Sequence, residues 1–72
     1  MDLSTAEKIR TLIKRNGLTL AELAERTSQS RQNLGNKMAL DDFRESELKA
    51  LAEAMGYDVE VSFVSKQTGE RF

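Results

Sequence analysis

From Ser30 to Met38 the chain reads Ser-Arg-Gln-Asn-Leu-Gly-Asn-Lys-Met, and only Leu34 and Met38 in it are large and apolar. The rest includes a guanidinium (Arg31), an ammonium (Lys37) and three carboxamides (Gln32, Asn33, Asn36). An Arg can fork onto the two acceptors of guanine, and Asn or Gln can pair bidentately with adenine, in a major groove that admits one α-helix. Residues four apart share a helix face, which groups Gln32 with Asn36 and Asn33 with Lys37. Helix propensity alone would place Glu, Lys or Ala at the outward positions, because Asn and Gly are poor helix formers. The outer face of this segment therefore serves something other than helix stability in water.

Other chemistries find little support. The sequence has no His and no Cys, which removes nucleophile–imidazole pairs, disulfides and nearly all metal chemistry except hard-cation binding by carboxylates. The acidic cluster Asp41, Asp42, Glu45 and Glu47 lacks the regular alternation and the Gly of a calcium loop. As first-turn carboxylates, these residues are expected to complement the dipole of the helix that follows. No enzyme activity, metal or cofactor is expected.

The chain has 72 residues, of which 39% are hydrophobic and 32% charged, the balance of one small globular domain with a marginal core of its own. No apolar run is long enough to span a membrane, and Met-Asp-Leu-Ser-Thr at the start has neither a basic region nor an apolar stretch. The expected location is cytoplasmic. The net charge of −1 hides an asymmetry. Residues 8–37 hold seven basic side chains against Glu22 and Glu25, a net of +5, and residues 38–72 hold four against eight acids, a net of −4. The basic half contains the amide-rich segment, as an electrostatic footprint for an anionic partner requires.

The periodicity predicts four helices. The first spans Ser4 to Asn16, with Ser4 and Glu7 as a capping box, Ala6, Ile9, Leu12 and Ile13 as an apolar stripe, and Gly17 as a left-handed cap. The second spans Thr19 to Thr27, capped by Thr19 with Glu22 and buried through Leu20, Leu23 and Ala24. After the turn Ser28-Gln29, the third runs from its N-cap Ser30 to Met38. Leu40 to Phe43 reads as a loop with Phe43 turned inward. The fourth spans Arg44 to Met55 on Leu48, Leu51, Ala52 and Met55, and Gly56 ends it. The period then switches to two: Tyr57, Val59, Val61 and Phe63 alternate with polar residues as a half-buried strand. A turn at residues 66–69, with Gly69 in the left-handed position, returns residues 70–72 as a second short strand. The expected organisation is a helical domain over residues 1–56 and a β tail over 57–72.

Two short helices joined by a tight turn, the second polar and amide-rich, describe a helix-turn-helix. The segment from Leu18 to Leu34, Leu-Thr-Leu-Ala-Glu-Leu-Ala-Glu-Arg-Thr-Ser-Gln-Ser-Arg-Gln-Asn-Leu, resembles the lambda-repressor-like, Xre-type or Cro-type DNA-binding domains. Their pattern is roughly L-T-x-x-E-L-A-x-x-x-G-v-S-r-x-x-I, and the flanking helices extend the resemblance to about residues 3–56. Three positions depart from it. The usual phosphate-binding Gln after Thr19 is Leu20, the usual turn Gly is Ser28, and Gly35 lies inside the third helix. Ser28 implies an altered turn or a strained φ. Gly35 costs about 1 kcal/mol relative to Ala, which close approach of the backbone to DNA or a packing need would explain.

The resemblance implies a mainly α, four-helix lambda-repressor-like domain, here with a short C-terminal β-strand or β-hairpin, that binds a double-stranded DNA operator. It aims Arg31, Gln32 and Asn36 at base edges, with Asn33 and Lys37 on the flank of the groove, Asn33 toward bases and Lys37 toward phosphate. Arg10, Thr19 and Ser30 are the further phosphate candidates, two of them at helix N-termini. A lone strand is unstable in water, so Tyr57, Val59, Val61 and Phe63 are expected to build an intermolecular sheet in a homodimer, the alternative being a hairpin folded onto the first and fourth helices of its own chain. The alternative reading is a protein-interaction module on the same scaffold, such as an antitoxin-like subunit with a protein partner.

Overall fold

The computed structural model describes residues 3–72. Four helices follow one another: α1 (Thr5–Arg15), α2 (Leu20–Arg26), α3 (Arg31–Leu40) and α4 (Glu45–Met55). Each turns its apolar stripe to one core. Ala6, Ile9 and Ile13 come from α1, Leu23 and Ala24 from α2, Leu34 and Met38 from α3, and Leu51, Ala52 and Met55 from α4. Leu23, Leu34 and Leu51, one from each of the last three helices, are the largest side chains with no appreciable solvent contact. Phe43 packs inward against this cluster, as does Tyr57.

The starts of the helices follow side-chain chemistry. Ser4 Oγ accepts the N–H of Glu7 at 3.2 Å, but the reciprocal arm differs from the expected box, because Glu7 Oε1 takes the Ser4 hydroxyl. At α2 the box is complete: Thr19 Oγ1 accepts from Glu22 N, and Glu22 Oε1 accepts from Thr19 N, both at 3.1 Å. Ser30 Oγ accepts from Asn33 N at 3.0 Å. Each such cap is worth roughly 1 kcal/mol.

The ends share one geometry. In every case a residue with positive φ follows the helix, and the next N–H reaches back five residues, as in a Schellman closure. Gly17 (φ 66) is followed by Leu18 N bonding Ile13 O, and Gly56 (φ 85) by Tyr57 N bonding Ala52 O. At α2 and α3 the left-handed residue is not glycine. Ser28 (φ 58) is followed by Gln29 N bonding Ala24 O, and Asp41 (φ 52) by Asp42 N bonding Lys37 O. The strained φ expected at Ser28 is therefore present. Left-handed backbone costs a residue with a Cβ roughly 1–2 kcal/mol. Ser28→Gly is accordingly expected to raise stability by about 1 kcal/mol, and urea unfolding at fixed protein concentration measures it.

Two boundaries differ from the sequence reading. The third helix continues past Met38 to Leu40, and Asp41 lies at its end, not in the first turn of α4. Asp41 Oδ1 accepts the N–H of Ala6 at 2.7 Å, so this carboxylate caps α1 and ties it to the end of α3. Of the acidic cluster, only Glu45 and Glu47 occupy the first turn of α4.

The tail departs further. Residues 57–63 form no strand, and the described backbone carries only an isolated antiparallel bridge, Val64 to Arg71. Phe63 and Phe72 exchange both N–H···O bonds at 3.0 and 2.9 Å, and Gly69 has the expected positive φ. The physical reason is the lack of a partner strand: among the described residues no backbone pairs with residues 58–62, and a strand without a neighbour gains no ladder bonds. The radius of gyration, 13.5 Å, exceeds the value of about 11 Å for a compact chain of this length.

Candidate nucleic-acid interface

The second and third helices form the helix-turn-helix. Leu23, Ala24 and Leu34 clamp them together in the core, and the small Ala24 lets the helices approach closely. The turn is built from side chains as well as backbone. Thr27 Oγ1 bonds the carbonyls of Leu23 and Ala24, Gln29 Nε2 donates to Thr27 Oγ1 at 2.8 Å, and Asn33 Nδ2 donates to Gln29 Oε1 at 2.9 Å. This relay fixes the orientation of α3 relative to α2.

With Leu34 and Met38 buried, helical geometry sends Gln32 and Asn36 outward together. Both are exposed, and so is Arg31. Among the described residues, no hydrogen bond or ion pair engages the side chains of these three. The other two polar residues of α3 are occupied. Asn33 belongs to the turn relay, and Lys37 Nζ pairs with Glu47 Oε2 across to α4. The structure thus brings Gln32 and Asn36 to one open face, leaves Arg31 exposed at the start of α3 and holds Asn33 and Lys37 at the flank.

The lysine beside Glu47 holds that carboxyl below the usual carboxylate range, chiefly through the hydrogen bond it donates. A depressed folded-state pKa means that the contribution of the pair is present at neutral pH and fades as pH falls through the folded pKa. Glu45 pairs with Lys49 at 2.9 Å on the surface of α4. Among the described residues, no group of three or more acidic side chains could hold a metal ion.

Of the remaining phosphate candidates, Arg10 borders a dent of about 250 Å³ with Ile13, Lys14, Leu20 and Met38. Two cations of α1 are thereby placed beside the start of α2 and the body of α3, so Lys14 joins Arg10 on this side of the molecule. Thr19 and Ser30 are exposed, but their hydroxyl oxygens already serve the helix caps. Of the tail residues, Tyr57 packs on the core and its hydroxyl receives Asn16 Nδ2 at 3.2 Å. Val59 is half-buried, while Val61 and Phe63 are exposed.

Leu20 and Gly35, two of the departures from the motif, meet each other. A Cβ at Gly35 would lie 3.9 Å from Leu20 Cδ2, an ordinary van der Waals contact, so the fold itself does not require glycine there. Gly35→Ala is expected to stabilise the free protein by about 1 kcal/mol, a rise of roughly 4–8 °C in Tm for a domain of this size. Duplex affinity of the same variant reports on the other role. A fall beside the gain in stability places the α3 backbone against DNA, and an unchanged value places Gly35 outside the interface.

Sequence reasoning missed two functional details of this region, the pairing of Lys37 with Glu47 and the capping of α1 by Asp41. Both join residues distant in sequence, and no local spacing signals them.

Among the described residues, no helix is long and apolar enough to cross a membrane. No curated protein and no solved structure matches the chain. A family model does: the ParB HTH domain matches residues 2–56. That match supports the helix-turn-helix and its four-helix setting without supporting the lambda-repressor or Xre type in particular. A short α2, a side-chain-braced turn and an α3 with three free polar groups are what such a domain needs to meet a duplex, and with its model matching all four helices the chain belongs to the ParB HTH domain family.

Proposed function

We propose that this chain is a sequence-specific regulator of transcription, a repressor that acts as a homodimer by occupying an operator with α3 in the major groove. The observation that carries the reading is the division of polar groups on α3. Arg31, Gln32 and Asn36 keep every donor and acceptor available to a base edge, and Asn33 and Lys37 are spent on holding the helix in place. A helix maintained by propensity alone would not expose unpaired carboxamides at two positions of one face. Arg31 takes guanine and Gln32 and Asn36 take adenine edges. Arg10, Lys14 and the helix N-cap residues Thr19 and Ser30 lie along the backbone, where contacts set register without reading sequence. Asn33 and Lys37 reach DNA only by leaving Gln29 and Glu47. Catalysis and cofactors have no part in this reading, and the protein works in the compartment that holds its DNA.

Twofold symmetry would present two copies of α3, which read a pseudo-palindrome in successive major grooves if they stand about 34 Å apart. The deciding experiment is selection of bound duplexes from a random pool at about 0.15 M salt, where non-specific binding is weak. An enriched pseudo-palindrome is the expected result. No enrichment by a folded protein overturns the reading in favour of an interaction module on the same scaffold.

The ion pair on α3 gives a further expectation. Glu47→Gln frees Lys37 and removes an anion from the flank, so affinity for random duplex should rise. The salt dependence should steepen by about 0.9 in log–log slope, the value of one added phosphate contact. Lys37→Ala in the unmodified background should alter that slope little.

A further inference from the structure

Four of the exposed large apolar residues fall in the last twelve positions: Val61 (57%), Phe63 (76%), Val64 (52%) and Phe72 (79%). Beside them the backbone of residues 58–62 makes no hydrogen bond within the described chain. The Phe63–Phe72 pair exchanges both of its bonds, which turns the peptide groups of 63 toward 72. In an extended chain, successive peptide groups alternate in direction. Continued as an extended strand from the 63–72 pair, residues 58–64 would turn the N–H and C=O groups of 58, 60, 62 and 64 to the opposite, open edge. The side chains alternate too: Tyr57, Val59, Val61 and Phe63 share one face, and the first two already lie against the helices. There they cover part of a groove of about 330 Å³ between α1 and α4, whose walls include Ile9, Leu12, Leu48 and Met55.

We infer that a second copy of the chain covers this edge, pairing antiparallel along residues 58–64 with Val61 facing its own counterpart on the twofold axis. The inference rests on the homodimer named under the proposed function and fixes its register. Charge excludes the registers centred on Glu60 and Val59, because like charges directly opposite are unfavourable, and a centre beyond Val61 runs the pairing into the turn at residues 66–68. Centring on Glu60 sets Glu60 against itself, and centring on Val59 sets Asp58 against Glu60. Centring on Val61 sets Glu60 against Ser62 and Asp58 against Val64, and it uses all four open-edge residues. It also aligns Asp58 of the second copy, Val64 and Arg71 in one row across three strands, with Arg71 bridged to Val64 on the far side. An anion and a cation then flank a small apolar residue on the same face. On the other face, Phe63 of each copy stands opposite Val59 of its twin and extends over the groove between α1 and α4.

The chain contains no cysteine, so one introduced cysteine reports only on its own twin. In the proposed register the two Val61 residues form a non-hydrogen-bonded pair with Cα atoms about 4.5 Å apart, within disulfide range. The two Asp58 residues lie about 20 Å apart. With the full-length chain and diamide as oxidant, Val61→Cys should link into dimers rapidly and Asp58→Cys should not. The unmodified chain should sediment as a dimer at micromolar concentration. Phe63→Ser should sediment as a monomer with unchanged helical circular dichroism, since Phe63 is exposed in the single chain. A dimer that links through Asp58→Cys, or fails to link through Val61→Cys, overturns the register and leaves the homodimer. A concentration-independent monomer overturns both. Duplex selection tests the DNA reading by itself, since a monomer that reads DNA still enriches a half-site.

Discussion

Replacing Gln32 and Asn36 together by Ala is expected to remove most of the sequence specificity of DNA binding while leaving the protein folded. Each bidentate amide–adenine pair discriminates by about 1–3 kcal/mol, so the loss at the selected site should be on the order of 10²–10⁴-fold. Neither side chain is buried, so the thermal midpoint and helical signal should change little. Both contacts are to bases, so the salt dependence of the remaining binding should keep its slope. The variant should keep only the discrimination between selected and scrambled duplexes that Arg31 supplies. Undiminished discrimination between the two would remove α3 from the role of reader. Asn33→Ala is the instructive contrast. It cuts the relay to Gln29 and Thr27 and should lower stability along with affinity.

The second large effect lies on the opposite face of the same helix. Leu34 is fully buried, and Leu34→Ala is expected to cost about 3 kcal/mol through lost transfer energy and the cavity left behind. A chain this small has a total stability of about 4–11 kcal/mol, so a large share of the reserve disappears. The midpoint of thermal unfolding should fall by on the order of 15 °C. Leu34→Met keeps the volume and should cost less than about 1.5 kcal/mol. Thermal unfolding of the three proteins at one concentration checks the order. Similar midpoints for Leu34→Ala and Leu34→Met would mean that the site collapses around the cavity and that the core is less close-packed than the burial of Leu23, Leu34 and Leu51 implies.

Much of the fold was legible because its signals are local. Helix starts declared themselves through Ser4, Thr19 and Ser30, each a hydroxyl three residues before the N–H it accepts. The ends of α1 and α4 did so through Gly17 and Gly56, the residue type that takes positive φ without a steric cost. The end of α3 did not, because Asp41 takes the same conformation with a Cβ, and its compensation comes from Ala6 at the other end of the domain. The free face of α3 was legible from a spacing of four. Which polar groups on that helix are free was not, since the partners of Asn33 and Lys37 come from the preceding turn and from α4.

The tail marks the boundary between the two kinds of information. Alternation from Tyr57 to Phe63 determined which side chains share a face, because that follows from the geometry of any extended chain. Whether those residues form a strand depends on an edge to pair with, and only the tertiary structure decided that. It gave Tyr57 and Val59 to the helices of their own chain, left Val61 and Phe63 exposed and, among the described residues, paired no backbone with residues 58–62. The sequence by itself determined four helices, most of their caps and the polar outer face of the third, all consequences of interactions within about four residues. The tertiary structure decided which of those side chains are bound to distant partners and which edge is left unpaired, because buried contacts and ladder bonds join residues whose separation in the chain carries no periodic signal.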